Sequence, residues 1–311
     1  MQIKSLVKNT LGLFKEAFKG SMNDNVLQLS AALSYYTIFS LPPLLIIIVS
    51  LSGIFFGADA VRGVIFGQIR GLVGNGAALQ IQEIIKNVKL SGHNIFVTTI
   101  GVIILLIGAS SVFAEIQDSI NYIWGIKAKP KHGLIKFLYN RLMSFSMIGS
   151  VGFLLLVGLI INSIIDILNK RLAIILPLDS VILLFTISAL LSFIIITLLF
   201  IFIFKTLPDG KIAFRDCIIG SSFTSLLFMI GKFAIGFYLG SYDIASVYGA
   251  AGSIILIFAW VYYSAIILYF GAEFTNVYAQ TYGRKIIPNE YSIQSKRSIL
   301  ESQGISSSAK T

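Results

Sequence analysis

Residues 29–56 read LSAALSYYTIFSLPPLLIIIVSLSGIFF, and this stretch decides the class of protein. Its first half mixes small and polar side chains, whereas its second half is an apolar run suited to a bilayer interior. Pro42 and Pro43 stand between the halves. Proline lacks an N–H group and clashes with the preceding helical turn, so two in a row predict a kinked or broken first span. Lipid offers no partner for the freed carbonyl groups, so the remaining chain is expected to pack around this break.

The composition agrees with a membrane protein. Of the 311 residues, 56% are hydrophobic and 12% are charged, about half the charged fraction of a soluble domain, and the mean hydropathy is +0.87. The single cysteine, Cys217, excludes an intramolecular disulfide and a multi-cysteine metal site. His93 and His132 fall in different predicted loops. We therefore expect one membrane domain without a metal or another cofactor.

The hydrophobic pattern predicts an all-α protein with six membrane-spanning helices. Residues 1–24 form a basic amphipathic helix, 25–279 the six-span domain and 280–311 a cytoplasmic tail that is largely disordered. Within the domain, residues 57–94 are expected to form an amphipathic connection on the outer face. The predicted spans cover about 25–56, 95–123, 142–165, 181–204, 214–238 and 247–274.

The first helix has an apolar face and a lysine-rich flank. Its apolar positions include Phe14 and Phe18, and the lysines are Lys4, Lys8, Lys15 and Lys19. This pattern favours a helix in the headgroup plane of an anionic membrane surface. The alternative is a helix docked on the protein's own cytoplasmic loops.

Lysine and arginine counts predict the orientation. With both termini inside, 17 of the 24 basic side chains fall in inner segments and 6 in outer loops. This asymmetry is what the positive-inside rule predicts for a membrane protein with both termini in the cytoplasm. The formal charge of +10 is thus spread along the inner rim, which excludes a nucleic-acid-binding domain. The expected partners are membrane lipids with anionic headgroups at the cytoplasmic face, and a homo-oligomer is left open.

Two carboxylates near the cytoplasmic ends of spans are the main candidates for chemistry. Glu115 precedes Asp118 and Asn121 in span two, and Glu273 closes span six. A carboxylate at mid-membrane costs about 2.5–3.5 kcal/mol by insertion scales and is by default a functional hypothesis. We consider a shared site for a proton, an ion or a substrate. Ordinary interfacial or hydrogen-bonded structural carboxylates are the alternative.

Other candidates surround the predicted break and the outer side of the bundle. Tyr35 and Tyr36 would line a path beside a half-helix that Ser40 caps, whereas a simple kinked helix is the favoured alternative. Lys232 is expected in the outer half of span five, as an anion contact or as a lysine that extends to the headgroups. Small residues that favour close helix packing open span six: Gly249, Gly252 and Ser253.

Motifs of soluble enzymes are absent from the sequence. It contains no phosphate-binding glycine loop followed by Lys-Ser/Thr, no HExxH and no GxSxG. We therefore expect no catalytic residues.

Three motifs resemble the YihY/BrkB family of bacterial membrane proteins, once labelled ribonuclease BN. They are residues 31–37 with Pro42-Pro43-Leu44, residues 117–125 (QDSINYIWG), and residues 248–253 (YGAAGS) continuing through WVYYS to Gly271-Ala272-Glu273. In order and spacing the match covers about residues 22–280. The resemblance implies a six-span helical bundle in the inner membrane, and it makes ribonuclease activity an unlikely assignment.

The sequence thus predicts a transporter or flippase of a small or lipid-linked envelope substrate. Its inner polar site would comprise Glu115, Asp118, Asn121 and Glu273, with Tyr35, Tyr36 and Pro42 shaping the path and Lys232 as an outer contact. The alternative function is a non-transporting membrane scaffold or regulator of the envelope.

Overall fold

The computed structural model describes residues 2–40, 111–128, 178–241, 250–290 and 292–295. Most of these residues are helical. The helices are α1 (Gln2–Asn23), α2 (26–40), α3 (111–123), α4 (Leu178–Thr206), α5 (Phe214–Ser241) and α6 (Ala250–Thr281). The strands are β1 (Ile126–Ala128), β2 (Gly210–Lys211), β3 (Ile287–Pro288) and β4 (Ser292–Gln294).

The chain divides into two compact units. The first unit comprises Met1–Ser21, Ile120–Met229 and Phe270–Thr311, and the second comprises Met22–Ser119 and Ile230–Tyr269. Several helices contribute residues to both units.

Three of the described helices are long and apolar enough to cross a membrane. Their candidate spans are Ala189–Thr206 in α4, Phe214–Lys232 in α5 and Ile257–Thr281 in α6. A crossing needs about 20 residues, which each of these helices exceeds. They coincide with predicted spans four, five and six. Pro42, Pro43, the connection 57–94 and span three lie outside the described residues, as does most of span two.

A short turn joins α1 to α2. Asn25 adopts a left-handed backbone conformation with φ 52°, a region that asparagine tolerates better than most residues. Its carbonyl oxygen accepts hydrogen bonds from the N–H groups of Gln28 (2.8 Å) and Leu29 (3.1 Å), which starts the new helix.

In the second unit, α2 buries a face of small polar residues. Ser30 and Ser34 are fully buried, and their hydroxyls donate 2.7 Å hydrogen bonds to the carbonyls of Val26 and Ser30. This back-bonding satisfies the hydroxyls within the helix, so a serine face can pack without water. Ser40 likewise donates to the carbonyl of Tyr36.

In the first unit, α5 and α6 cross through a reciprocal glycine–threonine contact. A Cβ on Gly220 would overlap the side chain of Thr275, and one on Gly271 would overlap Thr224. Each threonine donates a hydrogen bond to the glycine carbonyl four residues earlier on its own helix, at 2.7 Å for Thr224 and 2.6 Å for Thr275. The paired Gly-x-x-x-Thr segments allow the two backbones to approach closely.

Two antiparallel pairs of short strands add to the helical fold. β1 pairs with β4, and β2 pairs with β3. β3 and β4 lie in the predicted cytoplasmic tail, and the expectation that the tail is largely disordered stays a prediction. Its polar composition concealed two buried residues, Ile286 and Ser292, that fix the segment against the protein. Residues 296–311 lie outside the described residues.

Candidate functional site

Glu273 is a buried carboxylate in α6. It is 5% exposed and lies between Ala272 and Phe274, which are also buried. Gly20 of α1 faces it so closely that a Cβ on Gly20 would overlap Glu273 Oε1. A glycine at position 20 is therefore what lets α1 approach α6 at this carboxylate.

One face of α1 packs on α5 and α6. Leu13 and Ala17 form a buried cluster with Phe274. Phe14 meets two further aromatic rings edge-on, with centroid distances of 6.4 Å to Phe223 and 5.5 Å to Phe270. This face of α1 is therefore docked on helices. Both the predicted position of α1 in the headgroup plane and its docking on cytoplasmic loops stay predictions.

A second set of polar side chains, the Glu115 group, consists of Glu115, Asp118, Ser119 and Tyr269 in the second unit. Ser119 Oγ donates a long 3.4 Å hydrogen bond to Glu115 Oε1, and Glu115 is half-buried. Tyr269 is fully buried. Its hydroxyl is close enough to Glu115, Asp118 and Ser119 to interact with them electrostatically. Asp118 is exposed. The group combines acid and hydroxyl functions that can bind a cation or a polar headgroup.

A network of hydrogen bonds, the polar clasp, joins elements of the first unit. Its members are Asn121, Trp124, Asp209, Asn276 and Ser292. The amide of Asn121 is engaged at both ends by Asp209: Nδ2 donates to Oδ2 at 3.1 Å, and Oδ1 accepts from the Asp209 N–H at 2.8 Å. The turn Pro208-Asp209-Gly210 presents Asp209 to the end of α3, and Gly210 leaves room for the side chains of Ile126 and Ile286.

The clasp also fastens α3 to α6. Trp124 is buried, and its Nε1 donates a 3.0 Å hydrogen bond to the carbonyl of Ala272. Asn276 Nδ2 donates to the carbonyl of Ile123 at 3.2 Å. Two of the motifs quoted from the sequence, QDSINYIWG and Gly-Ala-Glu, therefore meet in space.

The C-terminal segment completes the clasp. The Asp209 carbonyl accepts 2.8 Å hydrogen bonds from Ser292 Oγ and the Asn289 N–H, and the Ser295 N–H donates to the Gly125 carbonyl at 2.7 Å. Nearby, the buried carboxylate of Asp216 accepts the Arg284 N–H at 2.8 Å. These bonds hold the chain that follows α6 to the starts of β1 and α5.

The predicted site residues are distributed over both units. Asn121 forms hydrogen bonds in the clasp, and its role as a substrate contact stays a prediction. Glu273 belongs to the first unit and Glu115 to the second, so a site shared by them stays a prediction. Tyr35 and Tyr36 are 58% and 42% exposed on α2.

The remaining predicted residues that the structure describes lie on α5 and α6. Lys232 is exposed near the end of its candidate span. Gly252 and Ser253 lie in the first turn of α6, and Gly249 falls outside the described residues. Sequence reasoning missed Tyr269 and Asp209. The four-residue spacing from Tyr269 to Glu273, one helical turn, was an available signal, whereas nothing local linked Asp209 to Asn121.

Comparison with known proteins gives the family. A family model described as "Virulence factor BrkB" matches residues 17–294, which is most of the chain. The chain belongs to the BrkB family. Within it, a UPF0761 membrane protein of Vibrio vulnificus (strain YJ016) is 28% identical over 265 residues, covering 82% of this chain and 78% of the relative.

Other relatives carry the same description. A UPF0761 membrane protein of Vibrio campbellii is 25% identical over 280 residues, covering 88% of this chain and 84% of the relative. One of Pseudoalteromonas translucida is 24% identical over 277 residues, with 88% of each chain covered. No solved structure matches the chain. The resemblance noted from the motifs is thus confirmed, and the chain is a membrane protein of this bacterial family.

Proposed function

We propose that this BrkB-family protein is a six-span transporter or flippase of a small or lipid-linked envelope substrate. It would lie in the cytoplasmic membrane with both termini inside, because the basic side chains are concentrated in the predicted inner segments. The Glu115 group is the proposed substrate-handling site. No residue is assigned a catalytic role.

The proposal rests on the partial burial of Glu115 and on its hydrogen bonding. Its carboxylate lies half-buried in α3, with one long hydrogen bond from Ser119 and the buried Tyr269 hydroxyl nearby. Burying a carboxylate in a membrane protein costs free energy, so such groups are usually retained for binding or for proton and ion transfer. The group's hydroxyls and carboxylates suit a hydrated cation, an amine or the polar head of a lipid.

The polar clasp supports a second function, a non-transporting scaffold or regulator. Hydrogen bonds within the protein engage the side chains of Asn121, Trp124 and Asn276. A molecule whose polar groups mainly fix its own structure can serve by presenting a stable surface to partners.

Reconstitution into proteoliposomes distinguishes the two functions. The probes are fluorescent phosphatidylglycerol and phosphatidylethanolamine for flipping, and radiolabelled phosphate and an alkylammonium ion for uptake. Transport supports the proposal if Glu115→Gln and Tyr269→Phe each lower the rate by about tenfold or more, the effect of losing a hydrogen bond to a charged group. Glu16→Gln, on the exposed side of α1, is the control and should leave the rate unchanged.

Folding is checked with the same samples. Cys217 is buried and is the chain's single cysteine, so its reaction with a maleimide dye reports unfolding on heating. Normal unfolding with lost transport assigns Glu115 to the site. Transport that is unaffected by either change removes the Glu115 group from the proposal. Movement of none of the probes favours the scaffold.

A further inference from the structure

The described part of α1 has a second apolar side that the protein leaves uncovered. Leu13 and Ala17 are buried at 6% and 0% exposure, but Phe18 is 57% exposed, and Phe14 is 44% exposed despite its two ring contacts. Large exposed aromatic side chains at i and i+4 form a continuous patch on one helix face. Such a patch marks an interaction surface.

Basic side chains border this patch. Lys15 and Lys19 directly follow the two phenylalanines, and both are exposed. Successive residues of an α-helix are separated by about 100°, so each lysine stands at the edge of the apolar patch. Glu16 is about 160° from Phe18 by the same geometry and therefore lies on another side of the helix. We call Phe14, Lys15, Phe18 and Lys19 the phenylalanine–lysine surface.

The neighbours of Phe14 lie in candidate membrane spans. Phe14 contacts Phe223 and Phe270, which belong to the candidate spans Phe214–Lys232 and Ile257–Thr281. Phe14 therefore packs against two helices that are long and apolar enough to cross a bilayer. A helix there, with aromatic side chains flanked by lysines, fits the boundary between headgroups and acyl chains.

We infer that the phenylalanine–lysine surface is a docking site for an anionic lipid bilayer. The two rings enter the boundary of the acyl region, and the two ammonium groups contact phosphate-bearing headgroups. The adjacent face of the same helix holds Leu13 and Ala17 against Phe274, so lipid contact and protein contact are made by one helix. This inference stands independently of transport.

The test measures the depth and lipid preference of α1 in the full-length protein in nanodiscs. Variants Phe18→Cys and Glu16→Cys are labelled with a small fluorophore under native conditions, where Cys217 is buried. The quenchers are phosphatidylcholine and phosphatidylglycerol carrying a nitroxide near the headgroup end of the acyl chain. We expect strong quenching at position 18 and weak quenching at position 16. At position 18, phosphatidylglycerol should quench more than phosphatidylcholine.

Charge variants test the headgroup preference. In the Phe18→Cys background, Lys15→Gln and Lys19→Gln should each lower the preference for phosphatidylglycerol, by up to about fivefold at low salt. Lys211→Gln, an exposed lysine in β2, is the matched control and should not change it.

Three results would overturn the inference. Equal quenching at positions 16 and 18 would show that this side of α1 does not face lipid. Equal quenching by both lipids, unchanged by the lysine variants, would exclude recognition of anionic headgroups. Self-quenching between labels at position 18 in nanodiscs with two copies, with no quenching by lipid, would make the occupant a second copy of this chain.

Discussion

Asn121 and Glu115 lie six residues apart on α3, yet their side chains have different surroundings. Asn121 is buried, and both ends of its amide bond to Asp209. Glu115 is half-buried with one long hydrogen bond from Ser119. Both are polar residues in an apolar chain, and the sequence grouped them into one site. The contacts of Asn121 indicate a role in stabilising the fold, whereas those of Glu115 leave its carboxylate suited to binding a ligand.

The same contrast holds between the polar clasp and the Glu115 group as wholes. The clasp joins segments far apart in sequence through backbone carbonyls and amides, which are obligatory hydrogen-bonding groups. The Glu115 group gathers carboxylates and hydroxyls around a buried tyrosine. Changes in the clasp should therefore lower stability, and changes in the Glu115 group should lower activity.

The largest effect on stability is expected at the crossing of α5 and α6. Gly220→Leu and Gly271→Leu each place a side chain into the space of a threonine on the other helix. Such overpacking should lower the free energy of unfolding by about 3 kcal/mol or more. The measurement is the heating midpoint at which Cys217 becomes reactive, in a fixed detergent. An unchanged midpoint in both variants would refute the close helix contact.

The polar clasp should give the next largest effect. Asn121→Leu removes two hydrogen bonds and leaves the Asp209 groups that they served without those partners. We expect a loss of about 2–3 kcal/mol in unfolding free energy. Chemical denaturation followed by circular dichroism measures it, with Gln28→Leu on the exposed side of α2 as the control. A loss no larger than that of the control would mean that the clasp does not hold the first unit.

A single bond of the clasp should matter less. Trp124→Phe keeps an aromatic ring and removes the donor to the Ala272 carbonyl. We expect a cost of about 1–2 kcal/mol, for one hydrogen bond and the smaller ring. The same denaturation assay measures this cost. An unchanged free energy of unfolding would show that this bond does not stabilise the first unit.

Alanine substitutions at two glycines of α1 should change the free energy of unfolding in opposite directions. A Cβ on Gly12 meets nothing within 4 Å, whereas one on Gly20 overlaps the Glu273 carboxylate. Gly12→Ala should therefore stabilise the protein by up to about 1 kcal/mol through helix propensity, and Gly20→Ala should destabilise it by about 1 kcal/mol or more. Thermal unfolding of the two variants side by side measures the difference. Stabilisation by both would show that α1 does not rest on Glu273.

Much of the architecture followed from hydrophobic pattern. Spans four to six and the first helix are read directly from apolar runs and helical spacing, because length and hydropathy determine which segments cross a bilayer. The family was also accessible, since its motifs stand in order along the chain. The strands of the tail were not predicted, because two- and three-residue strands carry no periodic signal.

The candidate site was predicted less completely. Sequence alone pointed to Glu115 and Glu273, since carboxylates are rare in spans. It did not reveal that Asn121 bonds to Asp209, 88 positions away, or that Gly20 faces Glu273. Such pairings depend on how helices pack, and no local pattern encodes them. The two Gly-x-x-x-Thr segments were visible in the sequence as small residues at helical spacing. They are Gly220 with Thr224 and Gly271 with Thr275.

The most direct test of the central claim compares activity per folded protein in Glu115→Gln and Asn121→Leu. Each variant is reconstituted at a temperature where Cys217 stays unreactive, and transport of the probe moved by the unmodified protein is divided by the folded fraction. The account predicts a loss of about tenfold or more for Glu115→Gln and nearly full activity for Asn121→Leu. Full activity in Glu115→Gln with a loss in Asn121→Leu would contradict it.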